Sequence, residues 1–242
     1  MVYQNKNFEY INAEEYDRRA EKSVLEDYVL GLWQPFLKKI IGDLSTGKIV
    51  VDLGCGTCEY TEAAKMAKKI YAVDISEPML KVCQKKLNSF SQAEIIKMAV
   101  KDFELSIDSA DLVITIGVWE YINPNILFNK IKEITRHGSK IIVVFPNIYN
   151  DLNWMRSLAK MSPFGGSPVG GKKVALRPGY IKNLFKKDFF IIDSTSFGMV
   201  LWAPKKLQSL ILPLWKFADW FWKPFQKFLP LGVNVYYLFE RK

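Results

Sequence analysis

The sequence predicts an α/β fold of the doubly wound type, an open and mostly parallel sheet with helices on both faces. Three observations predict it. Short apolar runs suited to buried parallel strands recur at residues 50–53, 69–74, 94–98, 111–117 and 140–145. The first two carry an acid at their ends, Asp52 and Asp74. Turn and helix-start signals separate successive runs, as in Ser76-Glu77-Pro78, where Ser76 suits an N-cap and Pro78 falls early, where a missing N–H matters little.

The first element is the most informative. Val50-Val51-Asp52-Leu53 reads as a buried strand, and it runs into a tight turn, Gly54-Cys55-Gly56. Glycines there reach backbone angles closed to other residues and let a ligand approach the main chain. A helix expected over residues 60–69 would add unpaired N–H groups and a positive dipole end. Such an element binds a nucleotide-like cofactor. The dinucleotide pattern Gly-x-Gly-x-x-Gly is incomplete, because Glu59 holds its third glycine position and would point a carboxylate at a pyrophosphate. Asp52 instead points to a cofactor with a positive group. It has two open readings, contact with that cofactor's amino group and bracing of the turn.

The second strand ends at Asp74, about 20 residues past the turn, where a carboxylate suits both hydroxyls of a ribose. At this point the chain resembles the class I S-adenosylmethionine-dependent methyltransferases. Val51-Asp52-Leu53-Gly54-Cys55-Gly56-Thr57 is similar to their first motif, although the usual third glycine falls here at Cys58. Asp74-Ile75-Ser76-Glu77-Pro78-Met79-Leu80 is similar to the segment that follows their second strand. The resemblance implies a Rossmann-like sheet of seven strands with an antiparallel last strand, which residues 232–242 would supply beside a sixth strand at 189–194. It implies S-adenosyl-L-methionine as cofactor, held by Asp52, Gly54, Cys55, Gly56, Asp74, Ile75, Asp102, Phe103 and Ile116. In that family's pattern Asp102 accepts from the adenine amino group, and Phe103 offers its backbone N–H or flanks the ring.

Composition agrees with one domain over residues 1–242, at 49% hydrophobic content and with no dividing linker. Residues 1–47 read as a helical cap, with helices over 14–30 and 33–41, from which Tyr16 or Tyr10 reaches the cofactor. Residues 48–146 form the cofactor half and 147–242 the substrate half. Its first part holds a helix near 152–161 and a Gly/Pro loop at 162–171 with the composition of a lid. The three cysteines have no metal-ligand setting, so no metal is expected. The Cys55-x-x-Cys58 spacing is read as coincidence, and the absence of a disulfide framework points to a reducing compartment. The N-terminal stretch lacks the apolar segment of a signal peptide, so a cytoplasmic location is expected.

The substrate half carries the second distinctive pattern. Leu207, Leu210, Ile211, Leu214, Ala218, Phe221, Phe225 and Phe228 recur at helical spacing, with Lys216, Asp219, Lys223 and Lys227 opposite and a kink or break expected at Pro213 and at Pro224. Two readings of residues 204–229 stay open. One is a helix packed on the sheet edge or on a second copy of the chain. The other is an interfacial helix resting on an anionic membrane, which would place the protein on the membrane's inner face. The net charge of +9 supports an anionic partner, but no recognisable nucleic-acid module accompanies it.

Chemistry must sit beyond the fourth strand, where Gly117-Val118-Trp119-Glu120-Tyr121-Ile122 offers Glu120 and Tyr121 to orient or deprotonate an acceptor hydroxyl. Many members of the family have a histidine where Tyr121 stands. The lone histidine, His137, falls in a turn expected before the fifth strand, at the wrong edge. The Asn/Asp-Pro-Pro-aromatic pattern of enzymes that methylate adenine or glutamine nitrogen is missing. The leading expectation is therefore methylation of oxygen or carbon on a lipid-like, quinone-like or glycolipid acceptor. The alternatives are a soluble small-molecule O-methyltransferase that dimerises through its aromatic helix, and a non-catalytic protein that keeps the cofactor fold.

Overall fold

The computed structural model describes residues 13–18, 23–105, 109–150, 176–200 and 203–242. Strands β1 (Ile49–Leu53), β2 (Lys69–Asp74), β3 (Ala93–Lys97), β4 (Ala110–Ile116), β5 (Thr135–Pro146), β6 (Phe189–Phe197) and β7 (Asn234–Arg241) form one sheet in the order β3-β2-β1-β4-β5-β7-β6. β7 runs antiparallel to both β5 and β6, and the remaining pairings are parallel. The strand order reverses between β1 and β4, and ligands of open α/β sheets bind at the carboxyl edge of such a switch point.

Among the described residues six helices accompany the sheet: α1 (Ala13–Asp17), α2 (Val24–Ser45), α3 (Glu77–Lys86), α4 (Pro124–Ile134), α5 (Pro178–Phe185) and α6 (Lys205–Trp222). Alternation along the strands divides the core between the two faces. Val50, Ile70, Ile114, Ile142 and Tyr236 pack with Leu25, Val29, Trp33, Leu37 and Ile41 of α2 and with Trp215 of α6. Val51, Val113, Val143, Tyr237 and Phe239 pack with Leu127 and Ile131 of α4 and with Ile181 and Phe185 of α5.

Four expected elements are corrected. The helices expected over 14–30 and 33–41 divide differently: α1 is short, and α2 is continuous from its Ser23 cap, whose hydroxyl accepts the Glu26 N–H at 3.1 Å. Pro35 lies inside α2 and forfeits one backbone bond without dividing it. The helix expected over 60–69 is a single 3-10 turn, Thr61–Ala63. α2 covers that side of the sheet instead, with Trp33 against Tyr60 at 5.7 Å between ring centroids. No helix dipole therefore points at the turn. β5 starts at Thr135, so Arg136-His137-Gly138-Ser139 belongs to the strand as an irregular stretch, with the Arg136 N–H held by the Ser139 hydroxyl at 3.0 Å. Finally, α6 runs through Pro213 and stops at Trp222, and Pro224 falls in the 3-10 turn Lys223–Phe225.

The α6 segment leaves the sheet at its functional edge. Phe197, the last residue of β6, pairs with Asn234, which also pairs with Pro146 at the end of β5. Asn147 carries the tie onward, its amide donating to the carbonyls of Pro230 and Gly232 at 2.7 and 2.9 Å. Tyr10, Trp202, the helix expected near 152–161 and the loop at 162–171 lie outside the described residues.

Candidate active site

The carboxyl ends of β1, β2, β3 and β4 converge on the turn after β1. Gly54 leaves the strand at φ +80°, and a side chain there would bring its Cβ within 2.7 Å of Val118 Cγ2, on the segment after β4. The N–H groups of Gly54 and Cys55 both donate to the Val73 carbonyl, at 2.8 and 3.1 Å, which draws the turn onto β2. Gly56, at φ +55° with open space where a Cβ would stand, donates its N–H to Asp74 Oδ2 at 2.9 Å. The other oxygen, Asp74 Oδ1, accepts the Ser76 N–H at 2.8 Å. The Ile75 N–H also bonds this carboxylate, so Asp74 is oriented by the backbone of the turn and of the segment after β2.

Asp52 lies behind the turn. It is buried, and its Oδ2 accepts the Thr61 hydroxyl at 2.6 Å, so in this structure it braces the turn. Burial pushes its carboxyl up to about 7; the Thr61 hydrogen bond opposes this and the Asp74 charge adds to it. Burial likewise raises Asp74, against the pull of its backbone donors.

The turn is also tied outward on every side. The Thr57 hydroxyl donates to Asp17 Oδ1 of α1 at 2.5 Å. Lys86 of α3 bridges Asp17 and Glu59, both at 2.7 Å, and Lys38 of α2 reaches Glu59 at 2.6 Å and Glu62 at 2.9 Å. Glu59 thus turns to two ammonium groups rather than to a ligand. Burial raises its carboxyl, but the two lysines win and hold it below its ordinary value. Among the described residues Cys58 is the one non-glycine with positive φ, at 61°. The cysteine reading is corrected here: Cys58 is disulfide-bonded to Cys83 of α3, and Cys55 is a buried free thiol. Spacing conceals this pair because the partners are 25 residues apart and meet only when α3 docks beside the turn.

The other expected residues fall as follows. Ile75 is an exposed lip beside Asp74, and Ile116 is buried at the end of β4. Asp102 is exposed on the 3-10 turn Val100–Asp102 that follows β3. The Phe103 ring is buried against Tyr71, 6.3 Å between centroids, and its N–H meets the Val100 carbonyl at 3.4 Å. Phe103 therefore supports the wall from behind, and its ring does not flank the open side. Tyr16 of α1 packs with Met79 and Val82 of α3 and near Tyr121, which brings the N-terminal cap to the segment after β4. Glu120 is buried and Tyr121 half-buried in that segment. His137 is exposed near the start of β5, at the opposite edge, and joins no part of the site. Asp17, Lys38, Thr57, Thr61 and Lys86 were not legible, since their partners lie on other elements and no local spacing marks them.

Residues 51–143 match the family model described as a methyltransferase domain. An uncharacterised protein of Methanocaldococcus jannaschii is 29% identical over 175 residues, covering 71% of this chain and 69% of that protein. Two solved structures share the fold. The magnesium protoporphyrin IX methyltransferase of Synechocystis, solved with bound S-adenosylhomocysteine, superposes with a TM-score of 0.64 at 13% identity, over 96% of each chain. A methyltransferase of Thermotoga maritima, described as a possible histamine N-methyltransferase, gives 0.63 at 15% identity over 95% of each chain.

This strand order and these superpositions give the chain the fold of the S-adenosylmethionine-dependent methyltransferases, and residues 51–143 match their domain model. The Synechocystis structure holds S-adenosylhomocysteine, the demethylated form of S-adenosyl-L-methionine. When bound, the cofactor supplies an electrophilic methyl group on a sulfonium. The chain's own task is to hold an acceptor in line with that methyl and exclude water, and such positioning contributes ~7–11 kcal/mol.

Proposed function

We propose that the methyl group goes to an oxygen or carbon of a lipid-like acceptor, a lipid, quinone or glycolipid, at the surface of an anionic membrane. The observation that carries this reading is the outward face of α6. The buried side of the helix is Gln208 and Trp215, with Ile211, Leu212 and Asp219 partly covered. The apolar stripe is turned away from the protein: Leu210 is 78% exposed, Trp220 71% and Phe228, beyond the helix, 86%, with Leu207, Leu214, Phe217, Phe221 and Phe225 also exposed. Such a contiguous apolar surface marks an interaction site. Lys205, Lys206, Lys216 and Lys223 are exposed beside it, and the one acid of the segment, Asp219, points inward. Lysines around an apolar, Trp- and Phe-rich face suit an anionic bilayer surface. No described helix is long and apolar enough to cross a membrane.

This surface rises from the same sheet edge as the cofactor turn, so an acceptor held in a bilayer has a short path to the site. In this reading Tyr121, beside the cap, orients the acceptor hydroxyl, and Glu120 behind it sets the segment or takes the proton. Flotation with vesicles of phosphatidylcholine and phosphatidylglycerol tests the membrane contact: co-flotation is expected at low salt and weakens as salt rises. Failure to float on anionic vesicles at low salt, with the chain dimeric in solution, would replace this reading by the soluble dimer. Extracts supplied with methyl-labelled cofactor test the acceptor; label confined to the water-soluble fraction would overturn the lipid assignment.

A further inference from the structure

Three sulfurs meet behind the cofactor turn. Cys55 and Cys58 come from the turn and Cys83 from α3; all three are buried, and their Sγ atoms lie within 4.8 Å of one another. The bonded pair, Cys58 and Cys83, has Cα atoms 4.8 Å apart, inside the ordinary span of a disulfide. This bond joins the two walls of the cofactor site. One wall is the turn after β1. The other is α3, which starts just after Asp74 and Ser76.

The bond falls where the turn is most strained. Cys58 holds φ +61°, a left-handed conformation that residues with a side chain resist and that persists only where the surroundings over-determine it. Three constraints act on Cys58 directly. Its N–H donates to the Cys55 carbonyl at 2.9 Å, its carbonyl accepts the Glu62 N–H at 3.1 Å, and its sulfur is tied to Cys83. The third constraint can be removed without changing a residue.

We propose that the Cys58–Cys83 disulfide is a redox site that sets the cofactor affinity of the turn. The inference rests on the cofactor assignment and is independent of the acceptor. In the oxidised chain the bond holds Cys58 in the left-handed region, which keeps the Gly56 N–H on Asp74 and the turn open to the ligand. On reduction Cys58 relaxes towards negative φ, the turn loses that shape, and affinity falls. The reductant is a dithiol. All three cysteines are buried, Cys55 the least so, and its sulfur lies within 4.8 Å of the bonded pair, so reduction enters through Cys55. Its thiol gives up a proton and attacks Cys58 Sγ; the Cys58–Cys83 bond breaks and Cys83 leaves as a thiolate that takes up a proton. The external dithiol then reduces the Cys55–Cys58 bond, becoming a disulfide as both cysteines become thiols. Burial, with Asp74 and Asp52 nearby, pushes the Cys55 thiol up, which keeps this exchange slow.

Linkage supplies a second readout: if the bond raises cofactor affinity, bound ligand must protect the bond by the same factor. The experiment is calorimetry with S-adenosylhomocysteine on the full chain, air-oxidised and after dithiothreitol, with thiols counted by alkylation and mass. About tenfold weaker binding is expected after reduction. S-adenosylhomocysteine should move the dithiothreitol reduction midpoint towards more reductant. The double variant C58G/C83A should bind with an affinity insensitive to dithiothreitol, because glycine takes positive φ without a crosslink. Equal affinity in the oxidised and reduced chain overturns the proposal, as does finding three free thiols in the air-oxidised protein. Absence of binding in every form overturns the cofactor assignment and this inference with it.

Discussion

The Tyr28 hydroxyl of α2 donates to Asp219 Oδ2 of α6 at 2.6 Å, across 191 residues of chain, and this bond sets which face α6 turns outward. Asp219 is held a second time by the Met199 N–H at 2.7 Å. Four residues earlier on α6, Trp215 is buried against Tyr28, with ring centroids 6.2 Å apart. At the start of the helix Gln208 accepts the Leu25 N–H at 3.2 Å. A polar and aromatic seam thus docks α6 on α2, and the apolar stripe is left for another surface.

Asp219→Ala leaves the Met199 N–H and the Tyr28 hydroxyl without their acceptor in a partly buried place. A loss of ~1–3 kcal/mol in stability is expected. Tyr28→Phe removes one donor and should cost less. Chemical denaturation of both variants and of the double variant measures the coupling, and additivity would show that the bond does not hold the helix.

Gly54 and Gly56 separate crowding from conformational strain. Gly54→Ala combines a positive φ with a Cβ 2.7 Å from Val118 Cγ2, whereas Gly56→Ala has the positive φ alone. Gly54→Ala should lower S-adenosylhomocysteine affinity at least tenfold and also lower Tm. Gly56→Ala should cost ~1–2 kcal/mol of stability with the smaller effect on Tm. Calorimetry and thermal melts on both variants check the order, and a reversal would place the crowding elsewhere.

Asp74→Ala removes the acceptor of three backbone N–H groups, those of Gly56, Ile75 and Ser76, as well as the proposed ribose contact. Cofactor affinity should fall about 10- to 100-fold, and hydrogen exchange at Gly56 and Ser76 should rise. Unchanged affinity, measured by calorimetry, would withdraw the ribose assignment.

Asp52 predicts a pH dependence. Its carboxyl is raised in the folded chain to about 7, from an ordinary value near 3.8. An acid raised by folding contributes stability below its unfolded value, and that contribution is lost as pH rises through the folded value. Tm of the cofactor-free protein should therefore fall between about pH 4 and pH 7 and level off above that on this account. Asp52→Asn, which keeps an acceptor for the Thr61 hydroxyl, should flatten the profile. An equally steep profile in the variant would assign the dependence to other groups.

The cofactor half was legible because its determinants are local. A buried strand needs an apolar run, a backbone close to a ligand needs glycine, and the acids at the ends of β1 and β2 are fixed by chain direction; Asp74 duly takes its place beside Gly56. Strand ends slipped by a residue or two, as at β3, and β5 grew at its start because pairing with β4 extends a strand beyond its apolar stretch. The helix expected after the turn failed for a different reason: local composition favours helix there, but the space on that face belongs to α2.

By itself the sequence determined the fold class and the glycine turn with its acids at the carboxyl edge of the sheet, since period, turn chemistry and strand direction act over a few residues. Tertiary structure alone decided three other matters. It paired Cys58 with Cys83, turned Glu59 from the ligand to Lys38 and Lys86, and rotated α6 so that Trp215 and Asp219 face inward and Leu210, Trp220 and Phe228 outward. Each depends on side chains far apart in the chain meeting across a packed interface, and an amphipathic pattern states that a helix has two faces without stating which one the protein covers.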